Sequence, residues 1–340
     1  MQLRDSAASR EDLIAAYRLV LLRNPDEAGL RHFLSQSERG RLKLSDVVAT
    51  FRSSSEYRSM TDANIATVDL GGYLVVVDKT EPDFGKKICL HRAWENHLVA
   101  VLNERLRPGD VFVDIGANVG VMAFAAAKRV GPNGKVIAFE PNESNAQMFL
   151  RGVAQMFLRG VAANGLESFV RLYPFALSDK PALFALQGSS NTHLKTPERF
   201  DRLVQSLPGD DILGAEPRID FIKFDIEGHE PFALAGLKRS LAKHRPTVLC
   251  EFNPRCLEDH IGKAPEVFAR ELFGLTDEIC AIEHSGRRSI VTDRARLMDL
   301  WRMRNREAVE SRILPDGLLH FDLLFKADKL GLQDAQAREP

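Results

Sequence analysis

The feature that most restricts the fold of this chain is a regular alternation of short apolar segments with helical segments after residue 110. The apolar segments are rich in β-branched and aromatic residues, which is typical of buried strands. Strands that alternate with helices predict a mostly parallel sheet covered on both faces. We therefore expect a doubly wound, Rossmann-like α/β domain with a seven-stranded sheet and a ligand site beyond the carboxyl ends of the strands. The strand candidates are residues 111–115, 135–140, 169–177, 219–226, 247–252, 278–283 and 320–326.

A different pattern precedes this region. Apolar residues recur at helical spacing between residues 9 and 60, and Ser9 stands three positions before Asp12, as in a capping box. The segment at 71–77 then returns to strand-like composition. We expect a small helical domain over residues 1–62, a strand-rich and helical lead-in over 63–110, and the main domain over 111–330.

Charge and cysteine content exclude several classes of protein. The chain has 340 residues, with 46 basic and 47 acidic ones, so no global field draws it to nucleic acid. Its four cysteines show neither disulfide density nor C-x-x-C metal spacing. We find no apolar leader and no apolar run of membrane-spanning length. The expectation is a cytoplasmic protein without a membrane span or a nucleic-acid partner.

The sequence D-I-G-A-N-V-G at 114–120 ends one predicted strand and opens a helix. Gly116 and Gly120 lack a Cβ, so we expect them to allow a tight turn and a close approach to a ligand. Asp114 would repel a pyrophosphate, but a carboxylate accepts hydrogen bonds from an ammonium group, directly or through water. Together with the amide of Asn118, this pattern favours S-adenosylmethionine over NAD as the cofactor.

A second acidic residue supports the same site. Glu140 ends the next strand, twenty residues after Gly120, where a carboxylate accepts hydrogen bonds from both ribose hydroxyls. Asn142 is placed either to contact the adenosine or to cap the next helix. Ala176 follows the third strand, where we expect backbone contact with the adenine edge.

Polar residues also follow the fourth strand candidate. Asp225, Glu227 and His229 lie in F-D-I-E-G-H-E, where the transferred methyl group is expected. His229 is a candidate general base for a hydroxyl, and Glu227 a candidate to orient it or to bind substrate. The alternative is that His229 only caps the following helix.

Asp225, together with Glu251 and Asn253, offers oxygen ligands for magnesium. Their spacing is too loose for an assignment, and we assign no metal.

The octapeptide A-Q-M-F-L-R-G-V occurs twice in succession, at 146–153 and 154–161. Eight residues rotate a helix about 80° beyond two turns, so the copies cannot present the same face to a sheet. We interpret the repeat as a duplication that makes one copy protrude, and not as a functional repeat.

The motifs together resemble the FkbM family of methyltransferases over residues 88–252. The likeness rests on F-V-D-I-G-A-N-V-G, V-I-A-F-E-P-N, F-A-L-S-D-K and F-I-K-F-D-I-E-G-H-E, in this order. It implies a class I methyltransferase fold, S-adenosylmethionine as donor, and O-methylation of hydroxyls on sugars or polyketide-like natural products. Residues 10–58 resemble a small bacterial helical domain of unknown function that accompanies glycan-processing enzymes, which directs the expected acceptor toward a saccharide or glycan precursor.

Two other functions stay open at this point. A nicotinamide-dependent oxidoreductase shares the sheet and Glu140 but is opposed by Asp114. A non-catalytic module that binds the donor and recruits a protein partner through the helical domain also fits the sequence.

Overall fold

The structure is a computed structural model of the chain. It describes residues 7–21, 25–38, 42–55, 57, 64–82, 84–142, 153–187, 193–197, 203–314 and 319–329.

Three helices form the N-terminal part of the described chain: α1 (Arg10–Val20), α2 (Glu27–Glu38) and α3 (Leu44–Ser53). The predicted capping box begins α1. The Ser9 hydroxyl accepts the Asp12 N–H at 3.1 Å, and the Asp12 carboxylate accepts the Ser9 N–H at 3.0 Å. This reciprocal pair satisfies two backbone donors that the first turn of a helix leaves free.

The buried side chains of these helices form an apolar cluster of their own. Leu13 and Val47 are fully buried in it, and the ring of Tyr17 meets that of Phe51 edge to face at 4.5 Å. Because the cluster contains only residues before position 60, the described N-terminal helices have a separate core.

A hairpin and two helices follow: β1 (Ile65–Asp69), β2 (Leu74–Asp78), α4 (Gly85–His91) and α5 (Asn96–Arg105). β1 and β2 pair antiparallel with each other, apart from the main sheet. The strand predicted over residues 71–77 starts only at Leu74, because its two glycines have positive φ and form the turn.

The remaining elements build the doubly wound α/β domain. They are β3 (Val111–Ile115), α6 (Val121–Val130), β4 (Lys135–Phe139), α7 (Val153–Asn164), β5 (Val170–Tyr173), β6 (Ala176–Ser178), β7 (Ala182–Gln187), β8 (His193–Lys195), β9 (Leu203–Pro208), α8 (Gly209–Leu213), β10 (Phe221–Phe224), α9 (Glu230–Ala235), α10 (Lys238–His244), β11 (Thr247–Phe252), α11 (Pro254–Ile261), α12 (Pro265–Phe273), β12 (Ile279–Ile282), β13 (Arg288–Val291), α13 (Arg294–Glu310) and β14 (Phe321–Lys326).

The main sheet has the strand order β5-β4-β3-β10-β11-β14-β12-β13. β3, β4, β5, β10 and β11 are parallel, whereas β14 is antiparallel to both of its neighbours. The predicted mostly parallel sheet is therefore confirmed, but it has eight strands and not seven, because β13 adds a strand at the edge. The chain proceeds from β3 to one side and returns to the other at β10, so the switch point lies between these strands.

One predicted strand is divided between two sheets. The segment 169–177 contains β5 and β6, and β6 joins a separate four-stranded sheet in the order β6-β9-β7-β8. Pro174 lies between them, and a proline has no N–H to continue the ladder. The break turns Ala176 away from the main sheet and toward the ligand face.

Alternate residues of the central strands enter two apolar clusters. Phe112 and Val136 belong to one, while Val113 and Ile137 belong to the other. Because successive side chains of a strand point to opposite faces, the sheet is covered on both sides, as the uninterrupted apolar strands predicted.

The second copy of the octapeptide repeat forms most of α7, where Phe157 and Val161 are buried. Residues 146–152 of the first copy lie outside the described residues, so the predicted protrusion stays a prediction. Among the described helices, none is long and apolar enough to cross a membrane.

Candidate functional site

A cavity of about 360 Å³ lies at the carboxyl ends of β3, β10 and β11, beside the switch point. Seven of the ten predicted site residues line it. The loops that follow the parallel strands bring them together, although up to 113 positions separate them in the sequence. They are Gly116, Asn118, Glu140, Ala176, Asp225, Glu227 and His229.

The loop between β3 and α6 depends on its glycines. Gly116 has a φ of +86° and Gly120 a φ of +95°, which confirms the predicted tight turn. A Cβ at Gly116 would collide with the backbone carbonyl of Asp225, and one at Gly120 would lie 2.6 Å from the ring of Phe124. The cavity wall includes Gly116 but not Gly120, and protein atoms fill the space that a Cβ would take at either position, so the approach of both glycines to a ligand stays a prediction.

Glu140 connects the β3–α6 loop to the segment after β4. One carboxylate oxygen accepts the backbone N–H of Asn118 at 2.9 Å, and the other accepts that of Asn142 at 2.8 Å. Burial raises the pKa of Glu140 to about 7, and the two N–H groups work against that rise. Asn142 is buried and does not line the cavity, and its backbone N–H supports Glu140; contact of its side chain with the adenosine stays a prediction.

Asn118 has a φ of +48°, in the left-handed region, and lines the cavity. The oxygen of its side-chain amide is buried and has no hydrogen-bond partner among the described residues. A buried polar atom without a partner is unfavourable unless a ligand supplies one. Asn118 is therefore a candidate binding group, and Glu140 holds its backbone in position.

Asp114 lies beneath the cavity and is not part of its wall. It is fully buried, and its carboxylate is 3.7 Å from the ammonium of Lys223, which is itself 2.9 Å from Asp225. Burial raises the pKa of Asp114 to about 6, against the effect of Lys223. The predicted hydrogen bond of Asp114 to a ligand, directly or through water, stays a prediction; in the structure Asp114 is linked to the cavity wall through Lys223.

His229 occupies the N-cap position of α9, but its side chain makes no capping hydrogen bond there. Its Nε2 lies 2.9 Å from the hydroxyl of Ser178, and its ring contacts those of Phe184 and Phe232. Burial lowers the pKa of His229 to about 4. The imidazole is therefore neutral near pH 7 and a weak base.

Glu227 has a strained backbone, with a φ of +55°. Burial and the charge of Asp225 raise the pKa of Glu227 to about 7, and the thiol of Cys256 lies 3.5 Å from its carboxylate. Strained residues with a perturbed pKa are concentrated at functional sites. The side chain combines cavity exposure with a pKa near neutrality.

The cavity wall also contains polar residues that were not singled out from the sequence. Lys223 is inside a strand, Glu95 precedes α5, His284 follows β12, and His320 and Asp322 begin β14. The only local signal among them was the position of His320 and Asp322 at the start of a predicted strand.

The magnesium alternative is not supported by Asn253. Its side chain accepts the N–H of Cys256 and caps α11. Within the described part of the chain, no group of three or more His, Cys, Asp or Glu residues is arranged to hold a metal ion.

Comparison with known proteins places this site in a family. Residues 114–272 match the profile described as the methyltransferase FkbM domain. A 55-residue segment is 38% identical to the ubiquinone/menaquinone biosynthesis C-methyltransferase UbiE of Hydrogenovibrio crunogenus. This segment covers 16% of this chain and 21% of that protein.

Two solved structures show weaker likeness. A methyltransferase FkbM from Methylobacillus flagellatus KT is 15% identical, with a TM-score of 0.40 over 92% of this chain and 58% of that one. A SAM-dependent O-methyltransferase from Thermotoga maritima is 14% identical, with a TM-score of 0.34 over 61% and 64% of the two chains. The chain thus spans about a fifth of the curated relative and just over half of the first structure. Residues 114–272 thus match the methyltransferase FkbM domain, and the strand order around them is that of a doubly wound α/β domain.

Proposed function

We propose that this domain transfers a methyl group from S-adenosylmethionine to a hydroxyl oxygen of a saccharide or glycan precursor. The observation that carries the proposal is the β3–α6 loop, where Glu140 holds Asn118 with its buried amide oxygen unpartnered at the cavity. A polyketide-like hydroxyl compound is the alternative acceptor.

The residues present fit this donor. Glu140 uses one acceptor site of each oxygen for backbone N–H groups and keeps further lone pairs for ribose hydroxyls. Ala176 lies on the same wall, beside the position expected for the adenine. Asp225 is part of the wall below the switch point, and its negative charge favours a cationic ligand.

When bound, S-adenosylmethionine supplies a methyl group on a sulfonium: the S–C electron pair stays on sulfur as the O–C bond forms, and the hydroxyl proton leaves. The chain must position the hydroxyl, exclude water and accept that proton. We assign the proton to Glu227, because its pKa of about 7 suits a base better than the pKa of about 4 at His229. His229 and Asp225 then position Glu227 and the acceptor.

The matched variants Glu227→Gln and His229→Gln test this assignment. We expect Glu227→Gln to lower kcat about 100-fold and to remove an apparent pKa near 7 from the pH profile of kcat. His229→Gln keeps a partner for Ser178 and is expected to change kcat only a few-fold. The reverse result would return the role of base to His229.

The donor is tested by calorimetric titration with S-adenosylmethionine, S-adenosylhomocysteine and NAD. Micromolar binding of the two sulfur compounds supports the proposal, and binding of NAD alone refutes it in favour of an oxidoreductase. Binding of the donor without turnover on any saccharide or polyketide-like hydroxyl would identify a non-catalytic module instead.

We also propose that residues 1–62 are a separate helical domain that contacts a protein partner, with residues 63–110 leading into the main domain at 111–330. The separate apolar cluster of α1, α2 and α3 supports this division. Limited proteolysis tests it, since a stable fragment that begins near residue 63 is expected.

Four unpaired cysteines fit a reducing compartment such as the cytoplasm, which cell fractionation checks.

A further inference from the structure

Two carboxylates face each other across the antiparallel pair of β11 and β14. Glu251 is the direct register partner of Asp322, and both line the cavity. Like charges directly opposite each other on neighbouring strands are destabilising. The pairing of Glu251 with Asp322 therefore does not serve the stability of the sheet, and we look for a role in ligand binding.

One oxygen of Glu251 has no partner. Its Oε1 lies 3.7 Å from Nδ1 of His320, whereas Oε2 makes no hydrogen bond with any described residue. The residue is only 7% exposed, so water solvates it poorly. A buried carboxylate oxygen that lines a cavity without a donor fits a ligand that brings one.

The other charges around this end of the cavity do not neutralise it. Asp322 lies 3.2 Å from Nε2 of His97, and the ring of His284 packs against that of His320 at 4.4 Å. Burial and the neighbouring imidazoles lower the pKa of His284 to about 4, so it carries no charge near pH 7. Among the described residues, the lysines that line the cavity are Lys87, which is exposed, and the buried Lys223, which is already paired with Asp225 and Asp114.

The excess of negative charge is visible in Glu251 itself. Burial, together with the charges of Asp225, Glu227, Glu230 and Asp322, raises the pKa of Glu251 well above its ordinary value. A cation between Glu251 and Asp322 would relieve both the desolvation and the repulsion.

The position of the pair separates it from the donor groups. In the strand order, β11 is two strands and β14 three strands from β3, which corresponds to about 10 and 14 Å at the usual strand spacing. The donor groups Asn118 and Glu140 follow β3 and β4, on the other side of the switch point. The pair therefore lies at the end of the cavity that is left for the acceptor.

We propose that Glu251 and Asp322 form an acceptor subsite for a hydroxyl compound that carries a protonated amine, such as an amino sugar with a free amino group. The ammonium lies between the two carboxylates and donates hydrogen bonds to both, which brings a neighbouring hydroxyl toward Glu227. This inference rests on the proposed function, because it names the acceptor class of that reaction. It also predicts that an N-acetylated or phosphorylated analogue is disfavoured at the same place.

The test uses the full chain saturated with S-adenosylhomocysteine and titrated with D-glucosamine or N-acetyl-D-glucosamine, followed by NMR. The two probes differ only at one nitrogen, which is a charged ammonium in the first and part of a neutral acetamide in the second. We expect glucosamine to bind at least tenfold more tightly, as for the loss of a hydrogen bond to a charged group. Glu251→Gln and Asp322→Asn should each abolish the preference, while Glu258→Gln on the surface of α11 should retain it.

Calorimetry with S-adenosylhomocysteine separates this inference from the proposed function. Unchanged affinity in Glu251→Gln and Asp322→Asn is expected, and a large loss would assign the carboxylates to the donor and overturn the subsite. Equal affinity for the two probes, or binding of neither, overturns the subsite but leaves the donor site standing. If the wild-type chain does not bind the sulfur ligand, both proposals fail.

Thermal unfolding gives a readout independent of any acceptor. Both variants are isosteric and remove one of the two opposed acids, so we expect Tm to equal or exceed that of the wild type. A clear decrease in Tm would show that the pair serves the fold, which contradicts the subsite.

Discussion

Lys223 is a lysine that is 3% exposed inside the central strand β10. Burial alone would lower the pKa of Lys223, but Asp225, Asp114 and Glu95 together raise it. The cation therefore stays charged and allows the carboxylates beside the cavity to ionise. A buried charge of this kind stabilises the fold only while its partners are present.

Lys223→Met should leave Asp114 and Asp225 without a cation. We expect the free energy of unfolding in urea to fall by about 3–5 kcal/mol. Lys238→Met, at an exposed position of α10, serves as the control and should change it by less than about 0.5 kcal/mol. Adding Asp114→Asn to Lys223→Met should restore part of the loss, and no restoration would contradict the ion-pair explanation.

At the scale of elements, the β3–α6 loop is held by contacts with two neighbouring strands. The missing Cβ of Gly116 admits the carbonyl of Asp225 at the end of β10, and Glu140 at the end of β4 holds the N–H of Asn118. The loop is thus a joint between three strand ends, and its shape fixes the position of the Asn118 amide.

Gly116→Ala should be much more damaging than a change at another left-handed glycine. Gly262 also has positive φ, but a Cβ there meets no atom within 4 Å. We expect Gly262→Ala to cost about 1 kcal/mol and Gly116→Ala at least 2 kcal/mol more, measured by denaturant unfolding. Similar costs would show that the Asp225 carbonyl moves aside freely.

At the scale of the whole molecule, the buried acids make stability depend on pH. Burial raises the pKa of Glu230 to about 8 and that of Glu140 to about 7. A carboxyl whose pKa is higher in the folded state stabilises the fold below its unfolded value near 4.5, and this contribution is lost as pH rises toward 8. The lowered pKa values of His229 and His284 have the opposite effect on stability. Their contribution is present above about pH 6.5 and is lost as the pH falls below that value.

The free energy of unfolding without ligand should therefore decrease between pH 6.5 and 8. In the wild type, the N–H of Ile226 donates to the Glu230 carboxylate at 2.8 Å, and Glu230→Gln keeps an acceptor for it. This variant should make the decrease in the free energy of unfolding smaller by about 1 kcal/mol. Urea titrations at several pH values measure it, with Glu258→Gln as an exposed control. An identical slope in Glu230→Gln would rule out this residue as the source.

The order of strands and helices could be read along the chain because apolar periodicity is a local property. The same holds for Gly116, Asn118 and Glu140, which stand at strand ends within 25 residues of each other. Asp114 and Asn142 are at the predicted elements, yet neither lines the cavity, because the direction of a side chain depends on tertiary packing. Pro174 was a local signal for the division of β5 from β6 that the apolar pattern obscured.

The sequence by itself determined the doubly wound sheet and the loop between β3 and α6, because spacing of a few residues decides strands, helices and tight turns. Only the tertiary structure decided which side chains meet at β11 and β14. His97 and Asp322 are 225 positions apart in the chain and meet because β14 inserts antiparallel beside β11. The charges of a cavity depend on which strands become neighbours, and that is settled by packing across the sheet.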